Sequence, residues 1–267
     1  SGCKIFDPAE EIPSYVKITS ISLTTSGNEG TNSHKITDAW IYVDGELIGG
    51  FELPCTVPIL KEGTHTILVR AGIMQNGLSS TRAIYPFYKG WESTIVLTRG
   101  QILTLSPAVT YFPVTNFLWM CDFDQAGTNI DDSPSAGATW DNLLQEVGAP
   151  ESFELQSGFA ELNSDTNLFF ARNSVSVVFN NTYDIYLELN YKCNQNFVVG
   201  IYNTVTAEYI PWVEVQFTYS WNKIYIRLND AVLTQPPNGI YHVYVAMKKS
   251  DVVSNPYIYI DNFKLIN

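Results

Sequence analysis

The sequence predicts an all-β chain folded as two successive β-sandwiches with one short helix. Three observations carry that expectation. Aromatic residues make up 13% of the chain, with 16 Tyr, 14 Phe and 6 Trp, while charged residues reach only 16%, a composition suited to half-buried pleated surfaces rather than to exposed helices. Runs of alternating apolar and polar residues recur from end to end, cut by Asn, Asp, Gly and Pro, with the period of two that strands require. Near the middle, Ser106-Pro107 to Phe112-Pro113 breaks the pattern, because X-Pro steps favour extended backbone and remove ladder donors. That joint divides the 267 residues into a tether over 1–14, a first domain over 15–113 and a second over 114–267. With 45% hydrophobic residues, each domain can bury its own core.

In the first domain, Tyr15 to Thr25 alternates as a strand, and the chain then turns through SGNEGTNS. Lys35 to Pro54 holds two β-favouring runs split by Asp44-Gly45, a strong hairpin signal because both positions accept positive φ. Gly63 closes another turn, after which His65, Ile67 and Val69 alternate against Thr64, Thr66 and Leu68. Further strands follow at Thr81 to Tyr88, Ser93 to Thr98 and Gln101 to Ser106, separated by Lys89-Gly90 and Arg99-Gly100. Seven or so strands spaced by turns imply an immunoglobulin-like sandwich.

The second domain opens on NFLWMCDFDQAG, a hydrophobic strand running into acids. The polar stretch from Asp131 to Ser152 contains the expected helix: Thr139 caps it, and Trp140, Leu143, Leu144 and Val147 fall on one stripe. About nine short β segments follow, from GFAELN to PYIYIDNFKLI, a number and length that fit a jelly roll.

The formal charge of −12 is uneven: residues 1–113 carry 8 basic and 10 acidic side chains, residues 114–267 carry 7 and 17. This balance repels phosphate backbones and anionic headgroups, which argues against nucleic acid as a partner and against a basic membrane patch. No apolar run approaches the roughly 18 residues of a spanning helix. The opening Ser1-Gly2-Cys3-Lys4 resembles the tail of a lipobox, which implies acylation of Cys3 and a covalent link to a membrane; the other reading is an ordinary cysteine after a cloning remnant. KIFDPAEEIPS then reads as a tether. Cys55, Cys121 and Cys193 form no CxxC or zinc spacing; they read as buried small hydrophobes, with a Cys121–Cys193 bridge the alternative.

DAWIYVDGELIG followed by LKEGTHTILVRAG resembles the PEGA-type β modules of envelope proteins. Over nearly the whole chain, SHKITDAWIYVDGELIGGFELPCTVPIL and GIMQNGLSSTRAIYPFY resemble uncharacterised lipoproteins of the Bacteroidota. That resemblance implies an outer-membrane, cell-surface location and brings no active site with it; it suggests an accessory subunit of an outer-membrane assembly or transport complex, or glycan capture. YIYIDNFKLIN resembles the last strand of jelly-roll carbohydrate-binding modules, in which a structural calcium often joins that strand to an acid at the start of the fold. Asp122, Asp124 and Asp261 are the matching positions, with solvated strand ends or turn caps the competing reading.

No cofactor is required by any motif. A jelly-roll glycosidase would need two carboxylates on one face, roughly 5 to 10 Å apart; Glu188 in YLELNY and Glu214 in WVEVQF are the candidates, and alternation can equally place either on a wet face. His34, His65 and His242 lack metal or triad spacing. The chain therefore reads as a non-enzyme. For glycan binding the candidates are Trp212, Tyr219, Trp221, Tyr225 and Tyr241, which could stack sugar rings or simply cover a sheet. For docking, Ile73, Met74 and Leu78 sit apolar within the GIMQNGLSSTR turn, which could meet a partner or the second domain.

Overall fold

A computed structural model describes residues 12–124, 129–131, 145–180, 182–235 and 239–267. Residues 1–11 of the tether, Cys3 among them, and Thr139, Trp140, Leu143 and Leu144 of the expected helix, lie outside the described residues. Ser14, the last residue of the expected tether, is instead buried in the strand Ser14–Ile18, its hydroxyl donating to Ile59 O at 3.0 Å.

The first half is a two-layer β-structure. One layer holds Glu46–Glu52, Asp38–Val43, Gly63–Met74 and Arg82–Ile84 in that order, with Trp91–Leu97 also pairing with Gly63–Met74. Facing it, Ser14–Ile18 lies between Ile102–Leu105, its parallel neighbour, and Cys55–Ile59, antiparallel to it. Ser22–Leu23, Ala108–Tyr111 and Tyr88–Lys89 extend the covering layer. Between the layers lie Val16, Ile18, Ile41, Val43, Val57, Ile67 and Val69, all essentially removed from water. The expected Asp44-Gly45 hairpin is present with both residues at positive φ, 52° and 82°, the conformation a two-residue turn of this hand demands.

The second half is a jelly roll whose chain passes repeatedly between two antiparallel sheets. One sheet runs Gln145–Gly148, Gln156–Glu161, Tyr257–Ile266, Tyr186–Cys193, Thr218–Arg227, with Phe117–Cys121 beside the later part of Tyr257–Ile266. The other runs Ile130–Asp131, Leu168–Asn173, Ile240–Lys248, Phe197–Asn203, Glu208–Val215, with Val177–Val178 on Ile240–Lys248. Ile258, Ile260, Leu187, Leu189, Ile224 and Ile226 from the first sheet meet Phe169, Val199, Ile201, Val243 and Val245 from the second in one core, the inward half of each alternation.

Two expectations are corrected. Val147 sits in the strand Gln145–Gly148, paired with Ser157, and not on a helical stripe; the short helix among the described residues is Asn229–Leu233, which tucks Ala231 and Val232 into the core. Cys121 and Cys193 are free. They pair with Phe263 and Ile258, on opposite sides of the Tyr257–Ile266 strand, beyond the reach of about 7 Å between Cα atoms that a disulfide permits. Burial pushes both thiols up to about 11.

The halves share a core. Tyr186, Tyr225 and Ile266 of the jelly roll pack among first-half residues. GIMQNGLSSTR makes part of that contact: Asn76 N donates to Tyr225 O at 2.8 Å, Arg227 N donates to Asn76 Oδ1 at 2.9 Å, and Tyr186 Oη donates to Gln75 Oε1 at 2.9 Å. Ile73 is buried in the first core, so it is no docking residue, Met74 is half-buried, and Leu78 remains exposed.

Candidate functional site

The outer face of the sheet containing Tyr257–Ile266 gathers the chemistry. Alternation sends Leu187, Leu189 and Tyr191 inward and Tyr186, Glu188, Asn190 and Lys192 outward on one strand; Ile224 and Ile226 point inward and Trp221, Lys223 and Tyr225 outward on its neighbour. On Tyr257–Ile266 the outward set is Tyr257, Tyr259 and Asp261. Asn262, at φ 50°, then inserts an extra residue and shifts the register against Glu188 and Asn190. The bulge returns Phe263 and Leu265 to the core and sends Lys264 and Ile266 outward.

At one end this face is covered by the first half. Glu188 is fully buried; its Oε2 lies 2.8 Å from Lys223 Nζ, and its Oε1 accepts from Tyr85 Oη at 2.8 Å and Tyr111 Oη at 2.7 Å. Burial pushes this carboxyl up, but the opposing charge of Lys223 and Lys264 and the hydrogen bonds from Lys223 and Tyr111 outweigh it, leaving Glu188 below its ordinary value and ionised. Lys264, driven down to about 8 chiefly by burial, donates to Thr31 O at 2.6 Å. Tyr88 and Tyr225 share a hydroxyl contact at 3.1 Å, and the Tyr85 ring meets those of Tyr88, Tyr186 and Tyr225 within about 5 Å.

At the other end the same face is open and aromatic. Phe159, Tyr259 and Lys192 are cross-strand partners in one row. Phe159 and Tyr259 are 4.6 Å apart, Tyr257 and Tyr259 5.6 Å, Trp221 and Tyr259 6.1 Å, and Phe153 and Trp221 5.3 Å. The Lys192 ammonium sits over the Tyr259 ring at 4.1 Å and the Trp221 ring at 5.3 Å. Trp221 is anchored by its indole N–H, which donates to Glu151 O at 3.3 Å.

Between the two ends runs a groove of about 270 Å³, lined by Ser33, His34, Lys35, Phe153, Asn190, Trp221, Asn222 and Lys223. The first half supplies one wall through the segment after its first turn. Ser33 Oγ donates to Asn190 Oδ1 at 2.9 Å, Lys35 Nζ to Asn222 Oδ1 at 2.6 Å, and Lys35 N to Tyr225 Oη at 3.0 Å. An aromatic floor beside amides, a hydroxyl and an ammonium is the combination that binds a hydroxylated ring: its C–H face stacks, and its rim finds donors and acceptors.

Two other surfaces are less suited. A larger hollow of about 560 Å³ opens at the joint, lined by Phe87, Phe112, Asn116, Asn180, Tyr183, Asp184 and Asn267 among others. Most of its polar groups are already engaged, Asn116 with Asn267, Asn180 with Thr182 and Asp184 with Arg227, leaving the Thr115 hydroxyl. On the opposite sheet, Phe170 stacks on Tyr244 at 5.1 Å and Tyr202 lies tilted against Tyr209 at 4.5 Å, but Phe170 and Tyr244 are buried.

Of the sequence candidates, Trp221 lies in the groove wall, and Tyr219 is on the same strand, exposed and edge-on to Phe217 at 5.5 Å. Two others, Tyr225 and Tyr241, are corrected by their burial, and Trp212 stands apart from the groove. Tyr225 is buried under the first half; Tyr241 is buried in the jelly-roll core, stacked on Phe179 at 5.2 Å; Trp212 belongs to the opposite sheet, its indole donating to Arg227 O at 2.8 Å. Glu188 and Glu214 are not a pair, since they stand on different sheets and Glu214 accepts from Asn196. Residues missed from sequence are Phe153, Phe159, Lys192, Ser33, Lys35, Asn190 and Asn222. Their one legible signal was the alternation Tyr257, Tyr259, Asp261 in a single strand, set beside Trp221.

Asp122, Asp124 and Asp261, the calcium candidates, are each engaged by the chain. Asp122 Oδ1 accepts from Asp124 N at 3.3 Å, Asp124 Oδ1 from Gln156 N at 2.9 Å, and Asp261 accepts from Ser157 Oγ and Asn262 N, both at 2.6 Å. Among the described residues no three His, Cys, Asp or Glu side chains are arranged to hold a metal ion. Burial pushes the Asp261 carboxyl up to about 7, helped by the nearby charges of Glu154 and Asp124.

No family model matches the chain, and no curated protein matches it. Among solved structures it is similar to a mutant of the family 29 carbohydrate-binding module CBM29-2, 9% identical, covering 58% of this chain and 91% of that one at a TM-score of 0.37. It is also similar to the family 30 carbohydrate-binding module of the cellulosomal cellulase Cel9D-Cel44B of Clostridium thermocellum, 14% identical over 56% and 91% of the two chains, TM-score 0.36. A further CBM29-2 mutant, complexed with cellulohexaose, is 8% identical over 57% and 90%, TM-score 0.37.

Proposed function

We propose that the protein is a carbohydrate-binding protein that holds a glycan chain without cleaving it. The observation that carries this reading is the continuous surface of Phe159, Tyr259, Trp221 and Phe153 running into the amide-lined groove. Sugar rings offer an apolar C–H face and a polar rim, and this surface offers a partner for each. Support for a non-catalytic role comes from the two enclosed carboxylates of the face: Asp261, although raised, is held by Ser157 Oγ and Asn262 N and does not line the groove, and the other is Glu188. It is ion-paired with Lys223 and held ionised behind the first half, which unfits it as a proton donor, a role that calls for a raised carboxyl. Glycan capture thereby displaces the accessory-subunit expectation as the leading reading, because an open aromatic face beside polar donors suits a flat hydroxylated ligand.

The test is a binding screen of the full chain against soluble polysaccharides by affinity electrophoresis, run beside Trp221→Ala and Tyr259→Ala. Retardation by at least one polysaccharide, lost in both variants while their melting curves stay unchanged, is the expected result. Retardation that survives both substitutions would move the site elsewhere, and none at all would end the glycan reading.

A further inference from the structure

Resting on the glycan reading, we infer that this groove selects a glycan bearing an anionic substituent, read by Lys35 from the first half. Among the described residues, Lys35 is the one residue of the first half that brings a full charge to the groove, and its ammonium donates to Asn222 Oδ1 at 2.6 Å. No carboxylate pairs with it among the described residues. The side chain is exposed in the groove, so an incoming ligand can reach its ammonium, and partial desolvation lowers its pKa. An accessible ammonium with no counter-charge is a ready partner for a ligand anion, because charge-assisted hydrogen bonds are the stronger kind.

The surroundings leave that role to Lys35. Lys223, the other cation lining the groove, is neutralised by Glu188 at 2.8 Å. No carboxylate lines the groove. On the far flank of Trp221 stands a second ammonium without a carboxylate partner, Lys192, which donates to a backbone carbonyl, Glu151 O at 3.2 Å, and lies over the ring at 5.3 Å. A sugar seated at Trp221 would thus lie near two ammonium groups without carboxylate partners. The chain's net charge of −12 does not oppose this: at physiological salt, fields fade over about 8 Å, so a single carboxylate or sulfate answers to its nearest cation. Polyanions with a charge on every unit, such as nucleic acids, feel the whole acidic surface and are disfavoured by it.

Calorimetric titration of the full chain with three hexasaccharides of matched length separates the outcomes: a neutral β-glucan, the same glucan carrying a single uronic acid, and the same glucan carrying a single sulfate. At physiological salt, at least one acidic ligand is expected to bind tenfold or more tightly than the neutral one, and the two acidic arms tell carboxylate from sulfate. Lys35→Met should erase the preference and Lys35→Arg keep it, with unchanged melting temperatures. Equal affinity for neutral and acidic ligands, or a preference intact in Lys35→Met, overturns the inference while leaving the glycan reading in place. Silence from all three ligands, together with a failed polysaccharide screen, removes both.

Discussion

The two ends of one sheet face differ in almost everything except the strands that build them. Tyr186–Cys193 and Thr218–Arg227 contribute Glu188, Lys223 and Tyr225 at one end and Lys192 and Trp221 at the other. Where the first half packs on top, ionised groups are paired and hydrogen-bonded to tyrosines out of reach of water. Where the first half does not reach, among the described residues, rings and ammonium groups are left half-exposed. The lesson is that the outward half of an alternation has no fixed meaning: the same pattern gives a buried polar network or a ligand platform according to what lies over it.

The comparison breaks hardest at Glu188. Glu188→Ala leaves Lys223 buried without its partner and strips two tyrosine hydroxyls of their acceptor, and unpairing a buried charge costs about 3–5 kcal/mol. Chemical denaturation should register a loss of that size. A loss below about 1 kcal/mol would show that water reaches this end too, so that the contrast between the ends is false.

Asp261 lies between the ends and should give the next largest effect. Its carboxyl is pushed up to about 7 by burial, against 3.8 in the unfolded chain. The folded state therefore keeps a proton that the unfolded state has lost, and stability falls as pH rises from about 4 to 7, by up to a few kcal/mol. Asp261→Asn mimics the protonated acid: its Oδ1 can still accept from Asn262 N, and its amide can donate to Ser157 Oγ. The variant should flatten this part of the pH–stability curve and exceed the parent in stability at pH 8. A parent curve that already runs flat from pH 4 to 7 would show that the carboxyl titrates normally and is solvated.

At the open end the effect should move from stability to binding. Trp221→Ala is expected to weaken glycan binding by about 2 kcal/mol, the scale of a central aromatic anchor, while changing the unfolding free energy by less than about 1 kcal/mol, because the ring is not part of either core. A large stability loss with intact binding would reverse the roles assigned to the ends.

How much of this was legible follows from which forces act locally. The Asp44-Gly45 turn and the inward alternation of Leu187, Leu189, Ile258 and Ile260 are written in short stretches of sequence, so the all-β architecture could be read. Trp221 was legible as an outward aromatic on a strand. The burial of Tyr225, four residues further along the same strand, was not, because it depends on Tyr85, Tyr88 and the Lys35 amide, which lie 137 to 190 residues away. Tyr241 misled for the opposite reason: on its strand the tyrosines alternate in an odd register, Tyr241 inward on Phe179 and Tyr244 outward on Phe170. Lys35 and Ser33 went unread because a polar turn carries no periodic signal, and only the docking of the halves turns that segment into the wall of a groove.

Tyr219 offers the smallest effect and the finest test of where the platform ends. It is 69% exposed, two residues before Trp221, and its ring contacts are with Phe217 and not with Trp221 or Tyr259. Stability should change by less than about 0.5 kcal/mol in Tyr219→Ala, as for any exposed side chain outside a core. For binding, ligand length decides. A short oligosaccharide seated on Trp221 and the groove has no reach to Tyr219, whereas a longer chain continuing along the open face would stack its next units there. Affinity for a disaccharide should therefore be unchanged in the variant, and affinity for a hexasaccharide should fall a few-fold, measured by calorimetry on the same preparation. Equal losses for both lengths would place Tyr219 inside the primary site and draw the boundary of the platform beyond Phe217.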